Sequence, residues 1–431
     1  EPRYALPMVG RGAELALIGA KRRLAWRGQG QVVGITAEAG LGKSRLAAEA
    51  IRLAYEQGFA GYGGECPSYG TQTPYLVWHT VWRGLFGLDA AAPLDAQVAS
   101  LAARLAEIEP SLAARLPLLG PAVNLPIPDN DLTAAMDERL RKSSLEALLV
   151  HCLTAFARRG PLLVALEDLH WIDPLSSDLL EQVARAAADL PVLLLLAYRP
   201  LGEAALRETL ASLPNFTEIA PGEFTEEETA ALIGLKLAQQ LGDAAEPPPG
   251  LVQRISERAN GNPFYVEELM NYLRDRRIDP TDARAWDALE LPENLYQLIL
   301  TRIDQLDEQQ KATLKVASVI GRLFPAAMVW GVYPELGGEA QVEAALGVLS
   351  TVDLTPLDTP DPELVYLFKH ILTQQVAYES LLYAMRARLH GEIGEYIEAR
   401  YADRLEQFVP LLAHHYDRSE NLLKRREYLV K

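Results

Sequence analysis

The segment Ala37-Glu-Ala-Gly-Leu-Gly-Lys-Ser44 holds the residues whose types and spacing point most directly to chemistry. A phosphate-binding loop has Gly, four residues, then Gly-Lys-Ser/Thr, and this chain meets every position but the first, where Ala37 stands. Gly40 and Gly42, with Leu41 between them, let the backbone turn its N–H groups toward phosphates, and the dipole of a following helix favours the same negative charge. Lys43 would reach the β- and γ-phosphates, and the Ser44 hydroxyl would ligate Mg²⁺. A glycine-containing turn that happens to carry Lys-Ser is the plainer alternative. Context favours the phosphate loop. Gln31–Thr36 reads as a short buried strand, and Ser44–Gln57 as a helix with Leu46, Ala50, Leu53 and Ala54 on one face.

Such a loop needs acid from a second strand, and Leu162-Leu-Val-Ala-Leu-Glu167-Asp168 supplies it. One carboxylate would hold magnesium and the other would orient water. The order Glu-Asp is less common than Asp-Asp or Asp-Glu; it assigns magnesium to Glu167 and water to Asp168, with the reverse left open. An ordinary acidic strand end is the bland reading. His170 and Asp173 follow closely, and phosphate sensing or contact with a neighbouring subunit are functional readings for both. A helix cap at Asp173, with Pro174 as first helical residue, explains that position better. Arg199 ends another buried strand, Val192–Ala197, where it would touch the γ-phosphate and report hydrolysis; the alternative is a surface arginine.

These residues need a scaffold. Strand, helix and strand at this spacing predict a parallel sheet covered by helices, with a helix near Ser176–Ala188 and a long one over Asp137–Arg158. Residues 66–130 read as a helical insertion broken by prolines, with a loop at Gly120–Asp131. After Pro221, Thr225-Glu-Glu-Glu228 caps a helix, and Glu246-Pro-Pro-Pro-Gly250 is a rigid connector. From Leu291 three helices lead to a hairpin with strands Val352–Leu357 and Leu364–Lys369, the pattern of a winged helix. The last thirty residues are helical.

The chain has 431 residues, enough for about three domains at roughly 150 each. Its 58 acidic and 41 basic residues give a net charge of −17, which argues against non-specific binding to nucleic acid or anionic membrane. No apolar run approaches the ~18 residues of a membrane span. Cys66 and Cys152 make no framework, so a reducing cytoplasm is the simplest location. The start, Glu1-Pro2-Arg3, reads as the cut end of something longer.

Taken as a set, the motifs resemble the signal-transduction ATPases with numerous domains (STAND), relatives of AAA-type ATPases. The residues that carry the likeness are Met8-Val-Gly-Arg11, the loop ending Gly-Lys-Ser-Arg45, Leu166-Glu-Asp-Leu-His-Trp171, Tyr198-Arg199-Pro200, Ala259-Asn-Gly-Asn-Pro-Phe264, and Phe368-Lys-His370 with Val376-Ala-Tyr-Glu379. It extends over nearly the whole chain and is nearest to the ATPase modules that follow nucleotide cyclase domains. Leu411-Leu-Ala-His-His-Tyr416 resembles the entry into tetratricopeptide helices.

The resemblance implies a P-loop domain over 1–221 with its insertion at about 66–135, a helical lid over 222–290, a winged helix over 291–400, and the start of a repeat region over 401–431. It implies a switch that binds ATP or ADP with Mg²⁺, hydrolyses slowly, and regulates an effector in the same full-length chain, with a cyclase as one candidate. Nucleotide-dependent self-assembly and a protein partner on the repeats are further implications. Val9 and Arg11 would lie near adenine and ribose, Arg45 belongs to the loop motif, and Pro263 after Gly261 would pack on adenine. His370, at a strand-to-helix corner before a helix over Ile371–Leu382, would bond the ADP β-phosphate; a local helix cap is its alternative. Ala37, Gly12 where the opening motif usually has Glu, and the Glu-Asp order depart from the pattern and bear on hydrolysis more than binding.

Two other functions compete with the switch. A DNA-binding regulator needs a basic recognition helix. Glu308–Val319 holds two lysines and Val342–Leu349 none, so any DNA reader would lie outside this chain. Cyclase chemistry needs a different fold from that of a phosphate loop, and it too would lie elsewhere.

Overall fold

The computed structural model describes residues 6–200, 204–213, 215–241, 247–279 and 292–430. Glu1-Pro2-Arg3, Glu246 of the proline connector, the boundary at 290 and Leu291 fall outside them. The chain forms two compact units, one of residues 11–38 and 42–221, the other of residues 1–10, 39–41 and 222–431.

The first unit is built on five parallel strands: β1 (Gln31–Thr36), β2 (Ala60–Glu65), β3 (Leu162–Glu167), β4 (Val192–Tyr198) and β5 (Phe216–Ile219), ordered β2-β3-β4-β1-β5. The three central strands are apolar nearly throughout because both faces are covered, as parallel strands require. In this order β4 lies between the loop-bearing β1 and the acid-bearing β3. Arg199 therefore follows the strand between them.

Two strands carry almost no sequence signal. β2 is Ala-Gly-Tyr-Gly-Gly-Glu, and its glycines serve packing: a Cβ at Gly64 would stand 1.9 Å from the Val77 carbonyl oxygen. The Leu76–Phe86 helix thereby lies close enough for Thr80 Oγ1 to donate to the Gly63 carbonyl at 2.7 Å. Its buried Trp78, Trp82 and Phe86 join the core of this unit. The edge strand β5 is only four residues long. A further helix, Gly12–Trp26, occupies a stretch whose mixed composition gives no clear apolar stripe.

Residues 66–130 are helical as their composition predicts, with helices at Leu76–Phe86 and Leu94–Ile108 and tighter turns after them, and the long helix expected over Asp137–Arg158 spans Glu138–Ala157. The loop expected at Gly120–Asp131 is partly ordered, because Gly120–Val123 forms a helical turn. Asp137 caps the Glu138–Ala157 helix by accepting from Leu140 N–H at 2.7 Å. Cys66 and Cys152 are free and buried, and burial pushes both thiols up, Cys152 to about 12.

In the second unit, helices Glu226–Leu241, Pro249–Ala259 and Pro263–Asp275 share one apolar cluster, against which Leu6 and Val9 pack. The capping pattern at Thr225 forms: Glu228 N–H donates to Thr225 Oγ1 at 3.2 Å and Thr225 N–H to Glu228 Oε2 at 2.9 Å. Helices Leu295–Asp304, Glu308–Ile320, Ala326–Val332 and Glu339–Thr351 follow, with an antiparallel sheet of β6 (Leu323–Pro325), β8 (Val365–Leu367) and β7 (Leu357–Thr359). The expected first hairpin strand over Val352–Leu357 begins only at Leu357. Val352 closes the preceding helix, and Asp353 takes a left-handed φ of 70° while its carboxylate pairs with Lys369.

Arg302 anchors this region. It is 2% exposed, donates to Glu268 Oε2 at 2.5 Å, to Asp275 Oδ2 at 2.8 and 3.0 Å, and to the Val352 carbonyl at 2.6 Å. The chain ends in helices Ile371–Glu379, Tyr383–Arg400, Val409–Asp417 and Leu422–Val430. The first of these stops three residues short of the expected Leu382, which instead caps the next helix. His390 joins three of them, with Nε2 3.0 Å from Tyr378 Oη and Nδ1 2.8 Å from His415 Nδ1. Among the described residues no helix is long and apolar enough to cross a membrane.

Candidate phosphate-binding site

The loop after β1 shows why Ala37 is acceptable. Ala37 is buried, its backbone is outside the positive-φ region, and its N–H donates to the Tyr198 carbonyl at 3.3 Å, so the first loop position extends the sheet ladder. The demand for glycine falls later. Gly40 has φ 87° and Gly42 φ 86°, where a side chain is strained. Gly42 is the N-cap of the Lys43–Gln57 helix, and a Cβ there would meet nothing within 4 Å. At Gly40 a Cβ would lie 2.7 Å from the Asn262 amide. Lys43, Ser44 and Arg45 form the first turn of the helix, where N–H groups lack intrahelical partners.

The first unit gathers several of the expected residues. Lys43 Nζ is 3.2 Å from Asp168 Oδ1, with the two side chains 11% and 16% exposed. Glu167 is the last residue of β3 and stands in register with Glu65 of β2. Asp168 leaves the strand with φ 55° and starts a short turn, Leu169–Trp171. That turn brings His170 Nδ1 to 4.0 Å from Asp168 Oδ1 and lays its ring 4.2 Å from that of Trp171. The Arg199 guanidinium is 5.9 Å from the Trp171 ring centre. Burial pushes His170 down to about 4; Asp168 opposes that shift, and Lys43 and Arg199 add to it. His170 is thus neutral at pH 7.

Asp173 is the helix cap that its sequence favours, accepting from Ser176 N–H at 2.9 Å and from Tyr75 N–H at 3.3 Å. Arg11 also belongs to this unit. It caps the first helix with a left-handed φ of 62°, is 8% exposed, and lies 3.4 Å from Glu14 Oε1.

Val9, Gly40, Leu41, Pro263 and His370 belong to the second unit. Asn262 caps the Pro263–Asp275 helix, accepting from the Phe264 and Tyr265 N–H groups at 3.0 and 3.2 Å, and its amide donates to the Ala39 carbonyl at 3.3 Å. Phe264 N–H reaches the Gly40 carbonyl at 3.3 Å. Gly261 has φ 67°, and a Cβ there would stand 2.5 Å from Glu223 Cβ. Pro263 is the first helical residue, where its missing N–H costs nothing.

His370 occupies the N-cap of the Ile371–Glu379 helix but makes no side-chain capping bond, so the local-cap alternative is not what forms. Its ring centre is 3.6 Å from that of Phe264. Its Nε2 is buried, 3.9 Å from Glu267 Oε2, and makes no hydrogen bond among the described residues. Burial holds this imidazole well below its ordinary value. Sequence reasoning missed Phe264 and Glu267 as its neighbours because both read as plain helix residues.

Oxygen donors at Ser44, Glu167 and Asp168 are the hard ligands that suit Mg²⁺. A parallel sheet with a glycine-bearing loop, a lysine at the helix start and acid at the end of a second strand defines a P-loop nucleotide-binding fold. Comparison with known proteins is in keeping with this fold: residues 7–195 match the AAA ATPase domain model. The whole chain is similar to the crystal structure of a STAND protein with a tetratricopeptide repeat sensor from Pyrococcus horikoshii. That likeness covers 100% of this chain and 50% of the other, at 13% identity and a TM-score of 0.57. An uncharacterized protein of Rhizobium meliloti is 29% identical over 399 residues, 90% of this chain and 36% of the relative. The chain thus spans about a third to a half of the proteins it resembles. A weaker likeness, to Aeropyrum pernix ORC1 in complex with DNA, has a TM-score of 0.39 and carries no argument about DNA binding here.

Proposed function

We propose that this chain is the ATP- and ADP-dependent switch of a longer signalling protein, binding Mg-ATP, hydrolysing it slowly and regulating an attached effector, with a nucleotide cyclase as one candidate. The observation that carries this reading is Lys43 beside Asp168 at the mouth of a parallel sheet. Lys43, the loop amides and Arg45 would hold the phosphates. Ser44 with Glu167, and Asp168 as second candidate, would hold Mg²⁺, which when bound neutralises charge developing on the transferred phosphoryl group. Asp168 would act on the attacking water, and Arg199 would sense the γ-phosphate. Val9, Arg11 and Pro263 would enclose the adenosine.

The remaining parts follow the same proposal. Residues 222–290 would serve as lid, 291–400 as a winged helix and 401–431 as the entry to a repeat array that recruits a protein partner. Self-assembly would depend on the nucleotide bound, and the setting would be the cytoplasm. The helix Glu339–Thr351 carries no Lys or Arg, which weighs against DNA reading by this segment.

Lys43→Ala tests the core of the proposal. The substitution removes the loop cation facing the β- and γ-phosphates, so calorimetry should find ATP affinity abolished. ATP bound as tightly as by the parent would sink the P-loop reading.

A further inference from the structure

His170 is the member of the Lys43–Asp168 cluster whose bonding is incomplete. Its side chain is 14% exposed, both ring nitrogens are buried, and neither makes a hydrogen bond among the described residues. Buried polar atoms in folded proteins nearly always have partners, and an orphan needs a reason. Two orphans on one ring beside a phosphate loop point to a partner that arrives with the substrate.

The local backbone fixes where the ring sits. Asp168 turns through the left-handed region, and the turn Leu169–Trp171 carries His170 back toward the carboxylate it has just left. Nδ1 then faces Asp168 Oδ1 at 4.0 Å, beyond hydrogen-bond reach, while Lys43 Nζ holds that same oxygen at 3.2 Å. Trp171 packs on the imidazole and restricts its rotation. One carboxylate oxygen is thus shared by two candidates, and the lysine has it.

We propose that His170 is a catalytic residue for nucleotide hydrolysis, accepting the proton of the attacking water on Nε2 while Asp168 receives the hydrogen bond from Nδ1–H. The inference rests on the ATPase reading above and refines it: Asp168 acts on water through His170. When Lys43 turns to the β- and γ-phosphates, Asp168 Oδ1 becomes available to Nδ1–H. A carboxylate so placed fixes the tautomer that leaves a lone pair on Nε2 and favours the imidazolium that forms. The water oxygen then donates its electron pair to the γ-phosphorus as the bond to the β,γ-bridging oxygen breaks. That oxygen keeps the bonding pair and leaves on ADP; the water proton passes to Nε2 and afterwards to phosphate or solvent.

The test uses the full 431-residue chain with His170→Gln, Asp168→Asn and the double variant. ATP affinity by calorimetry should stay within about threefold of the parent, while single-turnover hydrolysis falls about 100-fold or more in His170→Gln. The double variant should be no more than about twofold slower than the slower single one, because the two residues act as one unit. A second readout needs no turnover. A crystal structure of the parent with Mg²⁺ and a nonhydrolysable ATP analogue should place His170 Nε2 within hydrogen-bond distance of the water in line with the γ-phosphorus. Hydrolysis by His170→Gln within threefold of the parent, multiplicative losses in the double variant, or loss of nucleotide affinity would each overturn the proposal. If the variants fail to fold by circular dichroism, the parent's crystal structure with the analogue decides, and a His170 Nε2 beyond hydrogen-bond reach of that water rejects it. Lys43→Ala separates the levels: ATP binding that survives it rejects the ATPase reading, whereas a silent His170 with a sensitive Lys43 rejects only this inference.

Discussion

Lys43 Nζ lies 3.2 Å from Asp168 Oδ1, joining the first helical residue after the phosphate loop to the residue that follows β3. The carboxylate competes for the cation that a phosphate would use. Asp168→Asn should therefore leave ATP affinity equal or slightly tighter while lowering single-turnover hydrolysis by about 100-fold. Calorimetry and quenched-flow measure the two effects separately. Unchanged hydrolysis would transfer the role to Glu167.

The His370 ring lies tilted against that of Phe264, whose N–H reaches the Gly40 carbonyl of the phosphate loop. A β-phosphate contact made only with ADP predicts that His370→Ala weakens ADP by about tenfold, near 1.4 kcal/mol, and ATP by much less. The population then shifts toward the ATP-preferring state. Equal loss for both nucleotides, or none, removes His370 as the latch.

Arg302 is held inside the second unit by Glu268, Asp275 and the Val352 carbonyl. Arg302→Met leaves the buried Glu268 carboxylate without its cation, while Asp275 keeps Arg274 at 2.9 Å, and should cost about 3–5 kcal/mol in urea unfolding. Adding Glu268→Gln and Asp275→Asn should restore part of the loss. A triple variant no more stable than the single one would show that the arginine acts through packing instead.

Buried histidines make stability depend on pH. Burial pushes His170 to about 4 and His390 to about 3, both below the ~6.5 of an unfolded chain. The unfolded state therefore binds more protons between these values. Stability is fully present above ~6.5 and falls as pH drops toward 3–4, by at most about 1.4 kcal/mol per pH unit for each ring. Urea midpoints at pH 7, 6 and 5 should decline in step. In His390→Gln the decline should be shallower, and an equal slope would exclude that ring as a contributor.

Much of the site is legible in the chain itself. Ala37–Ser44, the acid pair and Arg199 sit on elements that apolar runs and caps mark plainly, because buried parallel strands must be apolar and glycine loops must tolerate positive φ. β2 and β5 are not legible, since a glycine-rich strand and a four-residue edge owe their pairing to neighbours. The hairpin's late start at Leu357 follows from Asp353, whose pairing with Lys369 spans sixteen positions and has no local signature.

By itself the sequence determined the chemistry available to this protein: a phosphate loop, hard oxygen donors and a basic strand tip, fixed by residue type and short-range spacing. Only tertiary structure decided which groups meet. Lys43 faces Asp168 across 125 positions because β4 lies between β1 and β3, and strand order is set by the packing of whole helices on a sheet. The same packing leaves both His170 nitrogens buried without a hydrogen-bond partner among the described residues and sets the His370 ring against Phe264 in place of a helix cap. Such outcomes depend on desolvation and distance, which no local pattern of residues encodes.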